Sequence, residues 1–155
     1  LEQGRIDRSK AERKEIKQRK EKIKSRSKWL KEAQAAFNAY IRIRDYGKPC
    51  VSCGLPMNHN SYGGKTDCGH YRSTGAASHL RFNVFNAAAQ CVKCNRYLSG
   101  AAVDYRIELI NRIGIDRVER VEQNNEPRSF DIEYLKRVKR IFNKKARLYK
   151  KLFRD

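Results

Sequence analysis

Two pairs of thiols set the chemistry that is easiest to read in this sequence. Cys50-Val51-Ser52-Cys53 and Cys91-Val92-Lys93-Cys94 are C-x2-C knuckles separated by 37 residues. Each knuckle lets two thiolates chelate one ion from a tight turn, and two knuckles complete the four-sulfur tetrahedron that Zn2+ accepts. Such a site is closed, with no position open to a substrate, so the zinc it predicts is structural. The fifth thiol, Cys68, is expected to be a small buried residue, because four knuckle sulfurs already saturate the ion.

Between the knuckles stand Asp67, Cys68, Gly69, His70 and Tyr71, then Asn83 and Asn86, and Asn95 directly follows the last knuckle Cys. Taken singly each is ordinary. Together they offer what phosphodiester hydrolysis needs, a base of near-neutral pKa and a cation beside the leaving oxygen. Imidazole suits the first task. Amide and carboxylate oxygens suit Mg2+ or Mn2+, hard ions that disfavour thiolate. The order of C-x2-C, His, Asn five residues before the second C-x2-C, and Asn directly after it resembles the zinc-bearing His-Me finger (HNH) endonucleases. In those enzymes a β-hairpin and a helix grip one catalytic metal. The resemblance implies His70 as general base, Asn86 as the brace of the connecting loop and Asn95 as a ligand of Mg2+ or Mn2+. Many relatives carry a metal-binding Asp or His just before the catalytic His, whereas this chain has Gly69. Asp67, the only acid between positions 46 and 103, is the substitute ligand. If no ligand takes that place, the finger is a DNA-binding relic that no longer cuts. Arg72, Arg81, Lys93 and Arg96 flank the site, as phosphate clamps or as ordinary surface cations. His59 and His79 are expected to be structural or surface residues.

A second resemblance covers more of the chain. The run from Trp29 to Asp45, Gly69-His70-Tyr71-Arg72-Ser73, Leu80-Arg81-Phe82-Asn83 and the run from Cys94 to Gly100 are similar to the NinG (Rap) family of lambdoid phage recombination proteins, from about residue 25 to the end. That family implies a divalent-metal-dependent, structure-specific endonuclease cutting branched recombination intermediates such as D-loops and Holliday junctions. It also implies the cytoplasm of a bacterial host. Relatives often carry a further Cys-rich segment upstream, and the chain starts at Leu1 without an initiator Met, so a piece of a longer protein is expected.

The elements that must position these residues are mostly helical. From Asp7 to Tyr46 there is no Pro or Gly, which predicts one long helix or two consecutive ones. Ile16, Ile23, Leu30 and Phe37 recur every seven residues with few apolar partners between, half a coiled-coil seam. The part before Lys28 is therefore expected to be solvated or packed on a partner, and residues 29–46 to dock on the body. Residues 54–66 read as a loop. Ser99 is placed to cap a helix through Ala102, Val103, Ile107, Leu109, Ile110 and Ile113 that stops at Gly114. A short helix from Asp116 to about Gln123 follows. Asp131 is placed to cap a last helix whose face is Leu135, Val138, Phe142, Tyr149 and Leu152. The fold class expected is α+β, mostly helical. A small zinc-stapled ββα-metal core (49–100) lies between a basic N-terminal helical arm (1–48) and a helical C-terminal region (101–155) with a basic last helix.

Charge names the partner class. The 155 residues carry 36 Lys and Arg against 17 Asp and Glu, a net of +19. Residues 1–48 hold +9, 49–99 hold +4, 100–130 hold −1 and 131–155 hold +7. A polyanion is the implied partner, nucleic acid first, with a solvated helix face the bland reading of the basic arm. No apolar run approaches a membrane span and no signal-peptide pattern is present, so a soluble chain that is not secreted is expected. Two hypotheses leave this stage. The first is a branched-DNA endonuclease with structural Zn2+ and catalytic Mg2+ or Mn2+, acting as a C2 homodimer because a four-way junction presents paired scissile phosphates. The second is a non-catalytic zinc-bearing DNA-binding or annealing factor. An RNA-directed role remains a third.

Overall fold

The uninterrupted stretch before Tyr46 folds as two helices. In the computed structural model, which describes residues 2–57 and 66–153, they are α1 (Glu2–Lys22) and α2 (Arg26–Arg44). Ser25 divides them, because its hydroxyl accepts the amide of Lys28 (3.3 Å) in N-cap geometry. Along α1 the sparse stripe stays out of the core, and Ile16 and Ile23 remain 52% and 83% exposed. From Trp29 on, apolar residues recur every three or four positions, and Trp29, Ala33, Ala36, Phe37, Tyr40 and Ile41 are buried.

Their partner is α5 (Ile132–Leu152), capped by Asp131, whose carboxylate accepts the Tyr134 amide at 2.7 Å. The two helices run parallel. Lys136 and Lys139 lie over Trp29 near their starts, Phe37 meets Phe142 edge-on at 4.9 Å, and Tyr40 meets Tyr149 further along. Leu135, Val138, Phe142 and Ala146 form the buried face of α5. Leu152, expected on that face, is exposed, because the apolar contact at this end is made instead by Phe153 on Tyr46.

Strands β1 (Thr66–His70) and β2 (Ala87–Cys91) pair antiparallel, with Cys68 opposite Ala89 and His70 opposite Ala87. Side chains of a strand alternate between faces. Cys68 and Ala87 accordingly join the α2–α5 core. Ala88 packs on the other side with Val51, Tyr105, Leu109 and Val118, contributed by the first knuckle, α3 (Ala102–Ile113) and α4 (Ile115–Gln123). The hairpin is thus sandwiched between two helix pairs. Arg44 and Asp45 fasten it. Asp45 is buried, accepts the Ala89 amide at 3.0 Å and pairs with Arg44, which itself donates to the carbonyls of Val84 and Ala87.

Gly114 ends α3 at a φ of +84°, as its position predicted. The start and face of α3 differ from expectation. Ser99 does not cap it; the preceding residue is Ala101, and both Ser99 and Ala101 hold positive φ. The cause is the second knuckle, whose Cys94 carbonyl accepts the Gly100 amide (2.9 Å) and turns the chain sharply before the helix can begin. Tyr105 and Leu109 then face inward, while Val103 and Ile107 stay exposed. The helix expected directly after the hairpin is a single π-helical turn, Lys93–Tyr97. Among the described residues no helix is long and apolar enough to cross a membrane.

Candidate functional site

The knuckles converge as their spacing demanded. Among the described residues, Cys50, Cys53, Cys91 and Cys94 form the one group of His, Cys and acidic side chains able to hold a metal, with all four sulfurs within 4.8 Å of one another. The Cys53 and Cys91 sulfurs are 3.9 Å apart, against an edge of about 3.8 Å for a tetrahedron with Zn–S bonds near 2.3 Å. Burial opposes a charged Cys50, yet amides of Cys91, Cys53 and Ser52 aimed at its sulfur bring the thiol down to about 7. The donor set therefore fits a closed structural zinc. Cys68 stands apart, buried, with its thiol pushed up to about 12 by desolvation.

His70 ends β1. Its ring lies 5.7 Å from that of Phe37, and its Nε2 is 3.0 Å from the Arg81 carbonyl. A carbonyl can only accept, so Nε2 carries the proton and Nδ1 is the nitrogen left to take one. Burial lowers the pKa of the imidazole; the carbonyls of Arg81 and Cys68 oppose this, the Arg81 guanidinium adds to it, and the net shift is downward. At neutral pH the ring is a neutral base. Asn86 is fully buried in the loop between the strands. Its amide donates to the carbonyls of Arg72 (3.0 Å) and Leu80 (3.4 Å), and its oxygen accepts the Arg72 amide (2.9 Å). It ties both ends of the segment that carries Arg81 to His70.

Asp67 and Asn95 meet. The Asn95 amide donates to Asp67 at 2.9 Å, and Arg96 clasps the same carboxylate with bonds of 2.7 and 2.9 Å. Burial raises the Asp67 pKa, but those donors outweigh it and hold the carboxyl below its usual range. Alternation puts Asp67 and Gly69 on the strand face opposite His70. The structure therefore brings Asp67 to Asn95, and does not bring His70 to either. It also accounts for Gly69. A Cβ there would lie 2.1 Å from the Gln90 amide oxygen, so the space a ligand at position 69 would need belongs to Gln90. Gln90 is fully buried, donates to Ser52 (2.7 Å) and the Gly100 carbonyl (2.7 Å), and leaves that oxygen without a hydrogen-bond partner.

The four flanking cations fare differently. Arg72 caps the end of α4, donating to the carbonyls of Val121, Glu122 and Asn124 and to the Asn125 side chain. Arg96 is held by Asp67. Lys93 is exposed, and Arg81 is half-buried with no carboxylate partner among the described residues. His79 donates from its ring Nε2 to the Asn124 carbonyl at 2.7 Å, and His59 lies outside the described residues. Sequence reasoning missed Gln90, the Arg44–Asp45 pair and Glu122. Glu122 accepts from Tyr71 (2.6 Å) and Arg106 (2.7 Å) and so joins α3 and α4 to the residue after His70.

No solved structure matches the chain. It is 45% identical over 132 residues to the protein ninG of Escherichia phage lambda, 43% to that of Escherichia phage 933W and 42% to that of Salmonella phage P22. Those alignments cover 85% of this chain and 62–63% of each relative, so the chain spans under two thirds of the length of the proteins it matches. The family model described as bacteriophage lambda NinG protein matches residues 1–152, and the chain belongs to the NinG family.

Proposed function

We propose that this chain is the nuclease core of a branched-DNA endonuclease, with a zinc-stapled His-Me finger formed by β1, β2 and the Lys93–Tyr97 turn. The observation that carries this reading is His70 itself. It is a half-buried imidazole at the end of a strand, its proton fixed on Nε2 by the Arg81 carbonyl, in a loop that Asn86 braces through the neighbouring Leu80 carbonyl. That tautomer leaves Nδ1 unprotonated, as a general base requires.

In the reaction, Nδ1 of His70 accepts the proton of the water that attacks phosphorus, and the 3′-oxygen leaves, giving 5′-phosphate and 3′-hydroxyl ends. Asp67 and Asn95, two oxygen-bearing side chains in contact, form a donor set suited to Mg2+ or Mn2+. Asp67 lies on the strand face opposite His70 and Asn95 meets it there, so a cation held by the two would not stand beside the phosphate that His70 serves, and a cation at the leaving oxygen would need other ligands. Arg96 occupies Asp67 in this structure and would have to release it. Zinc held by the four cysteines would keep the hairpin and the turn in register. The basic helices α1 and α5 would contact the flanking duplex arms, and the exposed stripe of α1 is the surface we assign to a second copy of the chain.

Adding Mg2+ or Mn2+ to the protein with an end-labelled four-way junction separates this from the alternative. Nicked product that depends on the metal supports the nuclease. Binding without product at any metal concentration favours the non-catalytic DNA-binding or annealing factor.

A further inference from the structure

Two of the cations closest to His70 in sequence are committed elsewhere, Arg72 to the end of α4 and Arg96 to Asp67. Another set is not. Arg26, Arg81, Arg128, Arg137 and Arg140 have no carboxylate partner among the described residues. They come from α2, the loop between the strands, the connector before α5 and the first turns of α5, yet they form one row. The carbonyl of Arg81 holds His70, and the Arg81 guanidinium feels the charge of Arg26. Arg26 donates to the Phe130 carbonyl at 2.7 Å. Phe130 stacks on Tyr134 at 5.1 Å, and Tyr134 carries Arg128 (4.7 Å) and Arg137 (5.3 Å) over its ring.

Arg128, Arg137 and Arg140 line two adjoining clefts, and Arg26 and Arg81 continue the row outside them towards His70. One cleft, of about 430 Å³, lies between the loop residues His79, Leu80, Phe82 and Asn83 and the connector. The other, of about 600 Å³, holds Arg128, Arg137 and Arg140, and both share Arg128 and Tyr134. The acids here neutralise the row only in part. Glu133 is paired with Lys136, while Asp131, which accepts the Tyr134 amide, and Glu126, at the rim of the smaller cleft, keep their charge against the arginines of the row.

We infer that this row is the path of a DNA strand's phosphate backbone as it approaches His70, a conclusion that rests on the nuclease reading above. The stacking explains how the row works. Tyr134 has Phe130 beside it and guanidinium groups over it, so it does not serve as a platform for a base. It fixes Arg128 and Arg137 with their donors free, which lowers the entropy lost when they bind phosphate. Recognition along the row is through phosphates, and so through strand geometry rather than base sequence.

The test uses a fluorescein-labelled four-way DNA junction, without added divalent cation, and the double variant Arg128→Ala/Arg137→Ala. A control pair, Arg117→Ala/Arg120→Ala on α4, removes the same charge away from the row. The row variant should bind roughly tenfold more weakly, and its slope of log affinity against log salt should fall by about 1.8. The control should stay near wild type, with zinc content and circular dichroism unchanged in both. Equal weakening by the two pairs, or none by the row pair, overturns the path. Preference of the wild type for an RNA of the same length overturns the assignment to DNA. If, once Mg2+ or Mn2+ is added, the wild type cuts the junction while the row variant had bound like it, the path fails and the nuclease reading stands. If the wild type binds but does not cut at any concentration of added Mg2+ or Mn2+, the nuclease reading fails.

Discussion

His70 and Gly69 are neighbours with opposite requirements. His70 must be neutral to act as a base, and its burial lowers the pKa below the ordinary imidazole value near 6.5. The cleavage rate should therefore rise with pH, level off, and have its midpoint below 6.5; a rate still climbing between pH 7 and 8 would assign the base elsewhere. Gly69 is needed for lack of a side chain. Gly69→Ala should cost about 2 kcal/mol by overpacking against Gln90, measured by urea denaturation. Adding Gln90→Ala should recover part of that loss, as coupled neighbours do. In the sequence Gly69 looks like a missing metal ligand. Its real constraint is a cross-strand diagonal to Gln90, which depends on the register of a hairpin that five residues such as Thr66–His70 do not announce.

The hairpin and α2 are joined by one buried pair. Asp45 is held below the usual carboxylate range, since the bonds from Arg44, Ala89 and Lys48 outweigh the effect of burial. A carboxylate depressed on folding contributes stability that is present above the unfolded value near 3.9 and lost as pH falls through the lower folded value. Asp45→Asn should destabilise the protein by about 3 kcal/mol at neutral pH, read as a lowered urea midpoint, and should flatten the acid limb of the stability profile. The four-cysteine cluster, able to hold zinc, sits at the other end of the same hairpin. Cys91→Ser should release the metal and unfold residues around both knuckles, seen as lost zinc content and lost amide protection together. Elements with local signals were legible: Asp131 as a cap, Gly114 as a stop, the thickened stripe from Trp29; Ser25 carries the same kind of cap signal but was not read from the sequence. Ser99 misled because a long-range constraint, the Cys94 turn, fixes the chain just before α3. Val103 and Ile107 misled for the same reason, since the angle at which α3 leaves that turn decides which face points inward.

At the scale of the molecule, the charge of +19 acquires a geometry. Two helix pairs enclose a small hairpin, and the hairpin offers His70 on one face and the Asp67–Asn95 pair on the other. The four-cysteine cluster that could hold zinc was readable from cysteine spacing alone, because a ligand set is a local property of two turns. The unpaired arginine row was not, because its members are drawn from four segments between Arg26 and Arg140. If α1 joins two copies, sedimentation should give twice the monomer mass and Ile16→Lys/Ile23→Lys should halve it. The most direct test of the central claim is single-turnover cleavage of a labelled four-way junction at saturating protein and Mg2+ or Mn2+, comparing the wild type with His70→Ala. The account predicts a rate loss of roughly a hundredfold or more, with junction affinity and zinc content unchanged. Cleavage by His70→Ala at the wild-type rate would contradict it.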